Sequence, residues 1–147
     1  MNPDRLTWEQ LPTIPPSIDA PVLDFNWEHW ESILNDRGVE IDRPRATPHP
    51  KHPSIIYPID YGSLPGTVGG DGEPADVWSG TGSTGLTALI MTRDHVKQDQ
   101  EVDLLWNCTP EEIYLVNGFV NFDRSLLQGR LILRRPMQEL WMDFAKK

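Results

Sequence analysis

The chain has 147 residues, a length that suits one compact domain burying roughly 70% of its unfolded surface. Hydrophobic residues at 38% and charged residues at 24% are ordinary globular usage, and no apolar run reaches 18 residues, so no membrane span is expected. With 22 acidic against 13 basic residues the formal net charge is −9, which excludes duplex nucleic acid as the main partner and leaves either solubility or cation binding as the role of the excess acid.

The N-terminus, MNPDRLTWEQLPTIPP, has no basic region ahead of an apolar stretch, so no secretory signal is expected. Residues 1–24 carry Pro3, Pro12, Pro15, Pro16 and Pro21, which predicts an extended arm ahead of a single domain over 25–147. Asn26 as cap, the apolar spacing of Trp27, Trp30 and Leu34, and a stop at Gly38 predict a helix over 27–36, with Phe25 and Trp30 as a hydrophobic staple. The arm and this tryptophan-bearing helix suggest a homo-oligomer. Short strand-like runs follow at Val39–Arg43, Ser54–Tyr57, Ala75–Trp78, Leu86–Thr92, Glu101–Asn107 and Gly129–Arg134, bounded by Gly, Pro and Asp, and they suggest a small barrel or strongly curved sheet. Thr109-Pro110-Glu111-Glu112 signals a second helix through a capping box with Pro at its first position, and a third is expected over Met137–Ala145. Cys108, the single cysteine, excludes an intrachain disulfide framework, suits a reducing cytoplasm, and reads as a small apolar residue.

Gly80-Thr81-Gly82-Ser83-Thr84-Gly85 has the spacing of a dinucleotide-binding loop, but it leads into a strand rather than a helix, so it reads as a turn. More chemistry lies in Asp71, Glu73 and Asp76, spaced by Gly72 and Pro74 in a tight turn that lets carboxylates converge. Convergent carboxylates repel unless a cation sits between them. Asp94 and Asp99 bracket a hairpin tip, and Glu40 lies on the first strand, so three segments can aim acids at one end of the fold. Arg43, Arg45 and Lys51 offer cations for phosphate. His49 and His52 lie in an extended Pro-rich stretch and read as solvated loop residues, while His29 and His95 have no partner pattern.

Tyr57-Pro58, Tyr61-Gly62, Pro65-Gly66-Thr67 and Asp71-Gly72-Glu73-Pro74-Ala75-Asp76 resemble the signature of the soluble family I inorganic pyrophosphatases. The likeness extends weakly from Val39-Glu40-Ile41 to Met91-Thr92-Arg93-Asp94 and Asp99. It implies an α+β, mainly β fold: a small five-stranded, OB-like closed barrel with two or three flanking helices. It also implies hydrolysis of pyrophosphate to two phosphates with several Mg²⁺ ions. By position, Asp71, Asp76, Asp94, Asp99 and Glu40 resemble metal-binding acids, Glu73 the acid beside the attacking water, and Tyr61 with Tyr57 the tyrosines near phosphate. The chain departs from the signature at Asp60, where the family has Asn, at Glu73, where it has Asp, and at Glu101, where it has Lys. The segment between Glu40 and Tyr57 is shorter than in the family, leaving Arg43, Arg45 and Lys51 as the phosphate-binding cations. A non-catalytic metal- and phosphate-binding relative, or a hydrolase of another phosphoanhydride, are the alternatives.

Overall fold

The computed structural model describes residues 5–11, 25–67 and 75–145. Helix α1 (Trp27–Arg37) is followed by strands β1 (Glu40–Arg43), β2 (Asp60–Ser63), β3 (Asp76–Ser79), β4 (Leu86–Asp94) and β5 (Asp99–Trp106). Helix α2 (Pro110–Val120), strand β6 (Leu127–Leu133) and helix α3 (Met137–Ala145) complete the chain. The six strands form one sheet in the order β1-β2-β3-β5-β4-β6, antiparallel except for the parallel β3–β5 pair.

This corrects the expected five-stranded closed barrel: the sheet has six strands and is open, with β1 and β6 as its edges. The burial pattern gives the reason. Leu86–Ile90 of β4 is buried on both faces, as suits the middle of a sheet covered on both sides, while among the described residues β1 pairs only with β2 and β6 only with β4, so the edges stay apart. On one face Trp78, Ile90, Leu105 and Leu131 pack with Ile113, Val116 and Val120 of α2 and Leu140 of α3. On the other, Val77, Leu89, Leu104 and Ile132 pack with Leu34, Trp27 and Trp30 of α1. Neighbouring residues of a strand go to opposite faces, and each pair Val77/Trp78, Leu89/Ile90 and Leu104/Leu105 divides in that way.

Local signals start and stop the helices. The Asn26 carboxamide accepts from the His29 N–H at 3.1 Å, Phe25 stacks on Trp30 with centroids 6.4 Å apart, and Gly38 leaves α1 with φ of 73°. At α2, Thr109 accepts from Glu112 N–H at 3.2 Å while the Glu112 carboxylate accepts from Thr109 N–H at 2.8 Å. The same buried carboxylate accepts from the backbone N–H and the hydroxyl of Thr81, so the glycine-bearing turn is tied to the helix cap. α1 is pinned by Glu31, which accepts from Leu86 N–H at 2.9 Å and pairs with Arg134 at 2.9 Å.

Part of the arm is placed. Arg5 lies over the Trp141 ring at 3.6 Å and pairs with Glu111 at 3.0 Å, and Trp141 Nε1–H donates to the Leu6 carbonyl. Residues 5–11, with a 3-10 turn at Trp8–Gln10, therefore rest on α2 and α3.

The expected strand at Ser54–Tyr57 is reduced to a single bridge between Pro48 and Ile56. Pro48, Pro50, Pro53 and Pro58 remove ladder donors from both legs. The loop 44–59 is instead an irregular return held by Ala46 N–H to Tyr57 O, Tyr57 N–H to Thr47 O and His49 N–H to Ile55 O.

Candidate metal centre

The site begins with the parallel pairing of β3 and β5, which sets Asp76 opposite Asp103 and Trp78 opposite Leu105. Glu101, two residues before Asp103, points to the same face. Carboxylate oxygens of Asp76, Glu101 and Asp103 lie within 4.8 Å of one another, and no other such group of three occurs among the described residues. Asp103 is only 4% exposed, and its Oδ2 accepts from Trp78 Nε1–H at 3.2 Å. That bond orients the carboxylate from beneath. Asp103 pairs across the sheet with Ile90 of the apolar face under α2, while Asp76 and Glu101 are half-buried.

Tyr61 closes one side. It is paired in register with Trp78, and the two rings are 4.6 Å apart. Burial, followed by the charges of Asp103, Asp76 and Glu101, pushes its phenol above the ordinary range. The phenol therefore stays protonated and is available as a donor beside three acceptors. Tyr57 stacks on Tyr61 at 5.7 Å, and Arg43 of β1 donates to the Tyr57 hydroxyl with its guanidinium 5.5 Å over that ring. Arg43 also faces Tyr61 across the β1–β2 pair. The chain thus runs from a cation, through two tyrosines, to three acids.

Of the residues expected from sequence, Asp76, Tyr61, Tyr57 and Arg43 come together here. Asp71 and Glu73 lie outside the described residues. Glu40 is exposed, in the cross-strand row Glu40, Ser63, Asp76, Asp103, two strands away from Asp76. Asp99 lies on the face of Glu101 and Asp103, roughly 7 Å along the strand from Glu101, with Asp94 opposite it in the hairpin. One oxygen of Asp94 accepts from both Val96 and Lys97 N–H at 2.9 Å, so it shapes the turn. Arg45 and Lys51 are exposed on the loop after β1, and Arg45 N–H donates to Asp60 Oδ1 at 2.8 Å. Asp60 thus holds that loop against β2.

Sequence reasoning passed over Asp103 and treated Glu101 only as a departure. One signal was present, since two acids at i and i+2 in a strand share a face; the burial of Asp103 follows from its register with β3.

The donor set discriminates among metals. Three carboxylates are hard oxygen ligands of the type that hold Mg²⁺, Mn²⁺ or Ca²⁺. The one thiol, Cys108, is buried with its Sγ 3.7 Å from the carbonyls of Trp78 and Trp106, and burial pushes it up, away from the thiolate that soft metals need. The residues therefore fit a hard divalent cation.

Solved structures similar to the chain include an inorganic phosphatase from Anaplasma phagocytophilum, with 15% identity and a TM-score of 0.48, covering 74% of this chain and 92% of that one. An inorganic pyrophosphatase from Helicobacter pylori is 10% identical with a TM-score of 0.41, covering 74% and 90%. One from Thermus thermophilus is 15% identical with a TM-score of 0.43, covering 71% and 86%. No family model and no curated protein matches the sequence.

Proposed function

We propose that the chain is a divalent-cation-dependent hydrolase of inorganic pyrophosphate, releasing two phosphates. The observation that carries this reading is the convergence of Asp76, the last acid of the Tyr57–Asp76 motif, with Glu101 and Asp103 beside a protonated Tyr61. Asp76, Glu101 and Asp103 would hold Mg²⁺, which when bound neutralises phosphate charge and supplies an activated water. Asp71 and Glu73 belong with them by their place in the motif, Glu73 as the acid beside the water. Asp99, Asp94 and Glu40 are further acids for a second or third ion, supported by the shared sheet face. Tyr61 donates its phenolic proton to a phosphate oxygen, and Arg43, steadied by Tyr57, faces the same anion with Lys51 and Arg45 on the loop beyond.

Phosphate release from pyrophosphate should be measured with and without Mg²⁺ for the full chain, Asp76→Asn and Asp103→Asn. The expected outcome is Mg²⁺-dependent turnover that each variant lowers by about 10²-fold or more, as removal of a group acting directly on developing charge does. Absence of Mg²⁺-dependent release, or variants that equal the parent, would overturn the reading. Release from nucleoside di- or triphosphates in place of pyrophosphate would move the assignment to another phosphoanhydride.

A further inference from the structure

The loop between β1 and β2 carries His49 and His52, to which nothing above gives a role. His52 is exposed, as expected, while His49 is half-buried, and the two rings are in contact. His49 stacks nearly parallel on Tyr57, with centroids 6.2 Å apart and 11° between planes, and His52 is 5.1 Å from His49. Tyr57 stacks in turn on Tyr61, and Tyr61 packs on Trp78. An unbroken aromatic ladder therefore joins the two imidazoles to the wall of the acid cluster.

The hydrogen bonding of His49 is directional. The Lys51 backbone N–H donates to Nδ1 at 3.0 Å, so the proton of the neutral ring resides on Nε2, which is left as a donor. Arg43 approaches the same Tyr57 from β1 through its bond to the hydroxyl. We infer, on the phosphoanhydride reading given above, that His49 and His52 with Arg43 and Lys51 form the seat for the substrate's outer phosphate, with the rings of Tyr57 and Tyr61 between them and the acids that would hold the metal.

Charge gives this seat a further property. Burial lowers the His49 imidazole from its ordinary value, and the charges of Arg43 on β1, His52 and Lys51 on its own loop, and Lys97 on the β4–β5 hairpin lower it further. A ring kept neutral by surrounding cations becomes easier to protonate once a phosphate neutralises them. The arriving anion thus draws a proton onto His49 and gains a second charged donor. His52 and Lys97, both exposed, can adjust to the anion's size without disturbing the sheet.

Histidine Cε1–H resonances of the full chain should be followed by two-dimensional NMR across a pH series, first alone and then with sodium pyrophosphate lacking metal, with turnover measured in parallel. The expected result is saturable movement of the His49 and His52 signals and a higher titration midpoint for His49. The His29 signal, on α1 at the opposite face of the sheet, should stay unchanged. In the double variant H49Q/H52Q, KM for pyrophosphate should rise about tenfold or more with kcat within a factor of about three. If wild-type turnover is present while the histidine signals stay still, or KM of the double variant stays within twofold, the inference falls and the hydrolase reading stands. If the signals move but no phosphate is released under any metal, the hydrolase reading falls and the anion seat stands. Movement of His29 equal to that of His49 marks nonspecific anion binding and overturns the seat.

Discussion

Tyr61 owes its behaviour to three carboxylates and to burial. Both disfavour the phenolate, so the folded state keeps its proton where the unfolded chain loses it, above the ordinary value of 10.0. The sign follows: Tyr61 leaves stability unaffected below about pH 10 and lowers it increasingly as pH rises above that value, because the unfolded state gives up a proton that the native state retains. Urea unfolding at pH 8 and pH 11 should show a smaller alkaline loss for Tyr61→Phe than for the parent. The same variant should lower kcat on the order of 10²-fold, since the donor beside the acids is gone. Equal alkaline losses in both proteins would remove Tyr61 from the cluster. Asp103 is set by its partners rather than by its neighbours in sequence. Its neighbours Leu104 and Leu105 look like ordinary strand core, and a carboxylate among them reads as an outward position until the parallel register with β3 is known.

Elements whose signals are local were readable. The Asn26 and Thr109 caps, the Pro110 first position and the Gly38 stop all lie within a few residues of what they control, and α1 and α2 fall where those signals put them. Strands depend on partners far along the chain, and there the reading failed twice. Ser54–Tyr57 has a β-like run, but the prolines of its partner leg leave one bridge. Asp60–Ser63 is a true strand although Asp-Tyr-Gly-Ser shows no apolar alternation, because its pairing is dictated by β1 and β3 on either side. Gly62 explains part of that fit: a Cβ there would meet the Glu40 carbonyl oxygen at 1.9 Å. Gly62→Ala must separate β1 from β2, and a loss of about 2 kcal/mol or more is expected in denaturant titration, with weaker pyrophosphate binding because Arg43 leaves with β1. A loss below about 0.5 kcal/mol would mean the edge strand yields without harm.

Over the whole molecule, the −9 charge is not evenly spread. Three carboxylates are gathered at one end of the sheet, with Asp94, Asp99 and Glu40 on the same face. Like charges at this spacing oppose folding in the absence of a cation, so on the proposed function the site is a place where stability is given up for binding. Asp103→Asn should therefore leave the metal-free protein as stable as the parent or more so, while abolishing the stabilisation that Mg²⁺ confers. At a concentration a hundred times its Kd, a ligand confined to the native state adds about 2.7 kcal/mol. Thermal unfolding with chelator and with Mg²⁺, for parent and variant, checks both halves. A parent whose melting temperature ignores Mg²⁺ would empty the cluster of its metal role. The closed barrel implied by the motif was wrong because motif residues report the neighbourhood of β2 and β3. Whether β1 meets β6 depends on strands and helices the motif does not contain.

The parallel pairing of β3 and β5 also sets a schedule for the birth of the site. Asp76 and Asp103 are brought side by side by a crossover that passes through the whole β4–β5 hairpin. No short piece of chain contains Asp76, Glu101 and Asp103 together, so that three-acid group does not exist on a nascent polypeptide that ends before Asp103. On the proposed function, capture of a metal by this group then follows sheet assembly instead of guiding it, and a ribosome-stalled chain cut before Glu101 should gain less stability from Mg²⁺ than the full chain.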